Sequence, residues 1–450
     1  MDMLMERDAL NLATEPVASL FRRFFVPTLL GMVSISLVTV ADGIFVGHGV
    51  GSDGIAAVNL CIPLLMLFVG LGLMAGVGCS VVASIHLAHR KVKAARINVT
   101  QALLFVTVCT LVSSAVILAF PRAAARLLGA SAHLLPQTVD YLCWFVPGLV
   151  FQMWISVGLF VIRLDGAPRL AMWCSVVSAV VNVVLDWLFI FPLGWGVMGA
   201  ALASTLSIVS GGAIVAVYLS AGARTLRLYP LKTSRKSLRL TLRNIGYQCR
   251  IGSSAMLGEA TMAVLMFTGN RVFMHYLGDE GVGAFGIACY YAPFVFMLGN
   301  AVAQSAQPII SYNFGAAQPD RVVAAQRVAL ATAVGCGAVV AAAFAAIPRA
   351  LVGLFLPLDN VAARIAVEGF PLFAAGFVCF VVNLTVIGYY QSLERVRPAT
   401  AFALLRGFLL LVPAFILLPR LLGTPGIWLA MPLSETLTLL AIGGYAISRK

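Results

Sequence analysis

Apolar residues run along this chain in stretches of about 20 or more, and the charged residues collect in the short segments between them. A helix of that length crosses the hydrocarbon layer of a bilayer, so each run is a candidate span. The pattern predicts twelve helices near residues 24–46, 54–88, 98–120, 138–163, 169–192, 196–221, 246–274, 282–312, 322–347, 362–391, 399–419 and 424–447. The expected fold class is therefore all-α and integral to the membrane, with twelve transmembrane helices.

Composition agrees with lipid as the solvent. Hydrophobic residues make up 61% of the 450 and charged residues 10%, a balance that a water-soluble core and surface do not reach. The net charge of +13 would suggest nucleic acid in a soluble protein, but the lysines and arginines sit between helices rather than on one aromatic-lined face, so no nucleic-acid partner is expected. The nine cysteines are scattered singly without a C-x-x-C pair, which points to neither a metal site nor a disulfide framework. Asp2, Glu6, Arg7, Asp8 and Glu15 interrupt the N-terminal segment, so no removable signal peptide is read there. The sequence lacks a P-loop, a GxGxxG motif and a nucleophile elbow, and its five histidines are dispersed; ATP-driven transport, an enzyme and a bound cofactor are all disfavoured.

Charge placement sets an expected orientation. With the N-terminus in the cytoplasm, 23 of the 30 basic residues fall in inside segments, which puts both termini on the cytoplasmic side of an inner (plasma) membrane. The largest cluster, Arg224, Arg227, Lys232, Arg235, Lys236, Arg239, Arg243 and Arg250, lies mid-chain and reads as a linker held at the inner surface by anionic lipid. The expected organisation is a first lobe over residues 1–221, a basic linker over 222–245 and a second lobe over 246–450.

The two lobes repeat one another. A shift of 227 positions pairs Gly51 with Gly278, Gly54 with Gly281, Gly72 with Gly299 and Ser84 with Ser311, and it also pairs Gly196 with Gly423, Gly199 with Gly426 and Ser207 with Ser434. Six helices repeated in order keep one orientation, so the repeat is parallel. Secondary transporters place substrate between such lobes.

Polar residues inside the spans are the candidate chemistry. Asp42 lies in the first helix, and Asn182 and Asp186 lie one turn apart on one face of the fifth. An ionised carboxylate at membrane depth costs roughly 3 kcal/mol, so it persists when paired, solvated or protonated. The bland alternative is that each aspartate bonds a neighbouring helix. Tyr141, Ser204 and Thr205 offer hydroxyls to the same region, although such hydroxyls usually bond their own backbone. The second-half counterparts of Asn182 and Asp186, near Val412 to Leu417, include no acid, so the lobes are chemically unequal. Glu259 and Glu435 remain there, and Arg406 can neutralise one of them. Near the end of the eighth helix, Gln304, Gln307, Tyr312 and Asn313 surround Pro308, which removes a backbone donor and either kinks the helix or frees a carbonyl.

The chain resembles the multidrug and toxic compound extrusion (MATE) family, in its bacterial branch of DinF and MepA type. The matching residues are Pro27 with Ala41-Asp42-Gly43, Arg163-Leu-Asp-Gly166-Ala-Pro168, Asn182-Val-Val-Leu-Asp186, Gly196-Val-Met-Gly-Ala-Ala-Leu-Ala203 and Gln307-Pro-Ile-Ile-Ser-Tyr-Asn313-Phe-Gly-Ala316, and Ser204 stands where the family has a threonine. Ala88-His89 and Gly252-Ser253-Ser254 depart from the pattern. The resemblance implies two pseudo-symmetric six-helix bundles in a V, and export of amphipathic, often cationic drug-like molecules in exchange for protons or sodium ions. It further implies that Asp42, Tyr141, Asn182, Asp186 and Ser204 form a cation site, with sodium the possible metal, and that Pro27 and Pro308 act as hinges. Glu259, Gln304, Gln307, Tyr312, Asn313 and Thr205 are secondary candidates. The expected partners of a monomeric chain are small molecules and the lipid bilayer; a flippase for lipid-linked oligosaccharides is the alternative, which would line its cavity with arginines.

Overall fold

A computed structural model describes residues 11–232 and 234–448. Residues 1–10 and the terminal pair Arg449 and Lys450, used above for the signal-peptide and orientation readings, lie outside it. The described residues form α1 (Val17–Gly49), α2 (Ser52–Ala88), α3 (Val92–Ala119), α4 (Leu135–Leu164), α5 (Pro168–Ile190) and α6 (Gly196–Gly222). They continue through α7 (Arg235–Gly278), α8 (Glu280–Gly315), α9 (Pro319–Ala346), a bent α10 (Val361–Ala374 with Phe377–Ser392), α11 (Val396–Leu422) and α12 (Thr424–Ile447). Eleven of these are single helices long and apolar enough to span, and the bent pair, angled by 47°, makes the twelfth.

The repeat is written into the backbone. Gly51 (φ 92°, ψ −167°) ends the link from α1 to α2, and Gly278 (φ 64°, ψ −155°) separates α7 from α8. This region of dihedral space is essentially restricted to glycine. Arg90 and Ala317, again 227 apart, close α2 and α8 at φ 58° and 55°. Their successors make the same wide capping bond, Lys91 N to His86 O at 2.8 Å and Gln318 N to Asn313 O at 2.9 Å. The short helices Pro121–Leu127 and Pro348–Gly353 follow α3 and α9 at the same spacing. The breaks in α4 and α10 also match: Gly148 packs on Thr205, and Gly376 sits so close to Pro432 that a Cβ would fall 2.6 Å from its Cα.

The helices assemble into two compact units, Met1–Met256 with Ser311–Gln318, and Leu257–Ile310 with Pro319–Lys450. Residues 246–256, expected to open the second lobe, therefore pack within the first unit. The cause is a set of buried side-chain bonds between α3 and the start of α7. Gln101 donates to Thr241 at 2.9 Å, Asn244 donates to Gln101 at 3.3 Å, and Gln248 donates to the side chain of Asn98 at 2.8 Å. Two glycines let α2 and α7 cross at backbone distance, since a Cβ on Gly78 would strike the Gln248 carbonyl and one on Gly252 the Met74 carbonyl. The departure at Gly252 thus has a packing reason. At the end of α8, the hydroxyls of the repeat-equivalent Ser84 and Ser311 hydrogen-bond at 2.6 Å, and a Cβ on Gly315 would lie 3.0 Å from the Cβ of Ala88.

The basic linker is only partly a lipid-facing segment. Asp165, just beyond α4, accepts from the Tyr218 hydroxyl (2.7 Å) and from the backbone amides of Arg224 (2.8 Å), Thr225 (2.9 Å) and Leu226 (2.9 Å). Arg96 donates to the Thr225 carbonyl at 2.6 Å, and Tyr229 N donates to the Thr100 hydroxyl at 2.9 Å. Residues 224–229 are consequently strapped to the ends of α3, α4 and α6.

In the second unit Arg406 is 1% exposed and meets Glu435 through Nη2 at 2.7 Å and Nε at 3.0 Å. Asn383 donates to the same carboxylate at 2.8 Å, the Phe380 ring lies 4.4 Å from the guanidinium, and the Ser434 hydroxyl bonds the Arg406 carbonyl within a π-helical turn at Leu405–Leu409. Arg406 is thereby spent on Glu435 rather than on Glu259. That removes the one mid-span arginine on which the flippase alternative leaned.

Two outcomes follow. Replacing Asp165 with Ala removes an acceptor whose charged hydrogen bonds contribute about 1.5–3 kcal/mol each; trypsin cleavage at Arg224, Arg227 or Lys232 should accelerate by roughly tenfold or more, read by gel under native conditions. Glu435→Gln should lower unfolding free energy in detergent by about 3–5 kcal/mol because it strands a buried guanidinium, whereas the double change Arg406→Met with Glu435→Leu should recover most of it.

Candidate cation site

Register between two parallel helices builds the site. Gly31 of α1 packs on Ser175 of α5, where an added Cβ would lie 3.5 Å from the hydroxyl, and Gly49 packs on Ile190. Position numbers rise together along both helices, and that register sets Asp42 level with Asp186. The two carboxyls are in side-chain hydrogen-bonding contact. Asp186 is 1% exposed, Asn182 on the preceding turn is buried, and Asp42 is half-buried.

The contact is unfinished as it stands. Oδ1 of Asp42, Oδ1 of Asn182 and both carboxylate oxygens of Asp186 are buried and meet no donor. Two ionised carboxylates repel at this range, and a buried acceptor without a donor costs about 1–3 kcal/mol. Chemically, the four oxygens call for a proton shared between the acids or for a cation that all of them face.

Tyr141 and Ser204 complete the cluster. The Tyr141 hydroxyl pairs with Ser204, and Asp42, Asp186 and Cys61 lie within electrostatic reach of it. Its ring stacks on Phe145 at 5.3 Å. Cys61, a buried thiol of α2, was not singled out from the sequence; a lone cysteine in an apolar span leaves no pattern to find. The five primary candidates thus come together, and oxygen donors of this kind fit a hard cation such as sodium.

The secondary candidates divide. Thr205 is corrected: its hydroxyl donates at 2.7 Å to the Trp144 carbonyl, which the break at Val146–Gly148 exposes, so it serves the α4 kink. Asn313 gives its side-chain amide to the Leu12 carbonyl at 3.1 Å, and the neighbouring Tyr312 is half-buried at the end of α8. Glu259, half-buried, and the buried Gln304 and Gln307 belong to the second unit. Helices α1 and α8 run through Pro27 and Pro308 without a non-helical residue at either, so neither proline is a break here. Pro308 has no N–H of its own to donate within the helix.

The second unit differs at the repeat-equivalent position of Asp42. Gly269 stands where Asp42 would be, and the Phe285 ring occupies the space a side chain there would need. Phe285 stacks on Phe273 at 4.6 Å, and Trp428 meets Phe273 edge-on at 4.8 Å. Aromatic packing fills what is an acid cluster in the first unit.

A polytopic helical membrane protein, built as a six-helix repeat with an acid pair in one repeat, is the class that these features define. The chain belongs to the MatE family, whose model matches residues 27–188 and again residues 255–416. It is 24% identical over 429 residues to the multidrug export protein MepA of Staphylococcus aureus (strain NCTC 8325 / PS 47), covering 95% of this chain and 92% of that one. It is also 24% identical over 322 residues to a FAD transporter of Shewanella oneidensis, covering 70% and 69%. Among solved structures it superposes on a MATE in complex with MaL6 with a TM-score of 0.88 at 23% identity, over 97% of each chain. A MOP superfamily transporter from Pyrococcus furiosus superposes with a TM-score of 0.87 at 22% identity, over 97% of this chain and 96% of that one.

The unmet oxygens make a stability prediction. Asp186→Asn supplies an amide donor beside Asp42 and should leave the melting temperature in detergent unchanged or raised, whereas Thr205→Val strands the Trp144 carbonyl and should cost about 1–2 kcal/mol. A lower melting temperature for Asp186→Asn than for Thr205→Val would mean that the acid pair is already satisfied.

Proposed function

We propose that this chain exports amphipathic, drug-like cations across the bacterial inner membrane, in exchange for protons or sodium ions that bind at Asp42, Asn182 and Asp186. The observation that carries this reading is the set of four buried oxygens, on two facing helices, with no donor among them. Such a site holds one positive charge at a time. A proton or metal ion bridging the acids completes their hydrogen bonding or coordination, and its departure leaves carboxylates able to hold a cationic substrate.

Competition for one site couples the two flows. Each unit charge moving down 100 mV supplies about 2.3 kcal/mol, and an ion gradient adds to it. Asp186, held against Asp42 by α5, presents the charge; Asn182 adds a neutral oxygen; Tyr141 and Ser204 form a hydroxyl pair beside it. Alternating access between the two repeats, the hinge roles of Pro27 and Pro308, cytoplasmic placement of the basic loops and a monomeric state belong to the same proposal. Kinship with a multidrug export protein supports the substrate class. Kinship with a FAD transporter offers an anionic substrate as the second reading, and two carboxyl groups at the site weigh against it.

Purified protein in liposomes should extrude ethidium when a pH or sodium gradient is imposed, and the gradient that suffices identifies the ion. Asp42→Asn and Asp186→Asn should each reduce gradient-driven efflux by at least about a hundredfold, given the roughly 3 kcal/mol at stake for a charge at membrane depth. Full efflux in both variants would overturn the proposed site.

A further inference from the structure

We propose that the first sixteen residues of α7 form a docking surface for anionic phospholipid at the membrane face where the basic linker lies, distinct from the strapped stretch before it. The segment is placed by length. Helix α7 has 44 residues, about 66 Å at 1.5 Å per residue, while a bilayer with its headgroups is about 40–45 Å thick. Its N-terminal end therefore stands in or beyond the headgroup layer.

Its rotation is set by hydrogen bonds. Thr241, Asn244 and Gln248 point inward to Gln101 and Asn98 of α3. At about 100° per residue these three, with Ser237 and Ile245, fill one arc of the helix, and Arg235, Arg239, Arg243, Arg250 and Lys236 fall together on the arc opposite. All five basic residues are exposed. Leu238 and Leu242 flank the stripe on one side, Leu240 and Tyr247 on the other, and all four are exposed too, Leu242 at 64%.

This arrangement reverses a soluble amphipathic helix, since the polar face is buried and the outer face combines cations with leucines. Phosphate headgroups match the cations, and acyl chains match the flanking apolar side chains. The helix start adds to the demand for an anion. Its first turn has no acid, and arginine and lysine occupy the end where the macrodipole is already positive. A soluble anion would answer the arginines but leave the leucines in water, so the occupant is a phospholipid.

The test titrates full-length protein in detergent with fluorescent phosphatidylglycerol and, separately, phosphatidylcholine. Wild-type protein should bind phosphatidylglycerol in preference. The triple variant Arg235→Gln, Arg239→Gln, Arg243→Gln should lose affinity roughly fivefold per arginine. It should do so with an unchanged melting temperature, because these side chains make no internal bond with α3. Arg122→Gln with Arg126→Gln, exposed at the far end of α3, should bind as wild type. Undiminished binding in the triple variant, equal loss in the distal variant, or displacement of the lipid by inorganic phosphate at matched concentration would each overturn the proposal. The readout is lipid binding, so its failure leaves the transport reading untouched.

Discussion

Lipid offers no hydrogen bonds, so polar groups within the spans seek partners inside the protein, and the contact between Asp42 and Asp186 gathers several acceptors for which this requirement is left unmet. At several other places the fold answers it. Arg406 has Glu435, Gln248 has Asn98, Thr205 has the carbonyl that the α4 break sets free, and Asp165 collects three backbone amides. Four buried acceptors on α1 and α5 lack a donor there, and the proposed reading assigns them a positive charge. Gly49 lets α1 lie close along α5 at this register, since a Cβ there would strike the Ile190 side chain.

The two repeats share a backbone and differ in chemistry. Positive-φ residues recur 227 positions apart at Gly51 and Gly278, Arg90 and Ala317, and Gly196 and Gly423, so the turns that set helix directions are common to both halves. Side chains then diverge. Where the first repeat puts Asp42, the second has Gly269 beneath Phe285, and its buried Arg406 is paired with Glu435. Duplication kept the scaffold, and on the proposed reading the first repeat alone holds the exchangeable ion.

Much of this was legible in the sequence because membranes impose simple rules. The apolar runs gave the number and order of spans, and acids at membrane depth drew attention to Asp42 and Asp186. What escaped had physical reasons. Helices continue past the apolar windows, as α7 does through its basic start at Arg235, since the helical backbone needs no apolar side chains once it leaves the lipid. Asp165 works through backbone amides about 60 positions away, a partnership that no side-chain pattern encodes. Ser204 and Thr205 differ by one position and hence by about 100° around α6, which is enough to send one hydroxyl to Tyr141 and the other to a kinked backbone. The bend in α10, read as one continuous run, comes from Gly376 packing against Pro432 and could be seen only with both helices in place.

The central claim is that one buried acid pair holds either a coupling ion or a cationic substrate. Its most direct test is calorimetric titration of purified protein with ethidium at a single pH, in two buffers of widely different ionisation enthalpy and without sodium. If proton and dye share the pair, the observed heats differ between buffers in proportion to the protons released on binding, and Asp186→Asn abolishes that difference. Identical heats in both buffers, with ethidium still bound, would contradict the account.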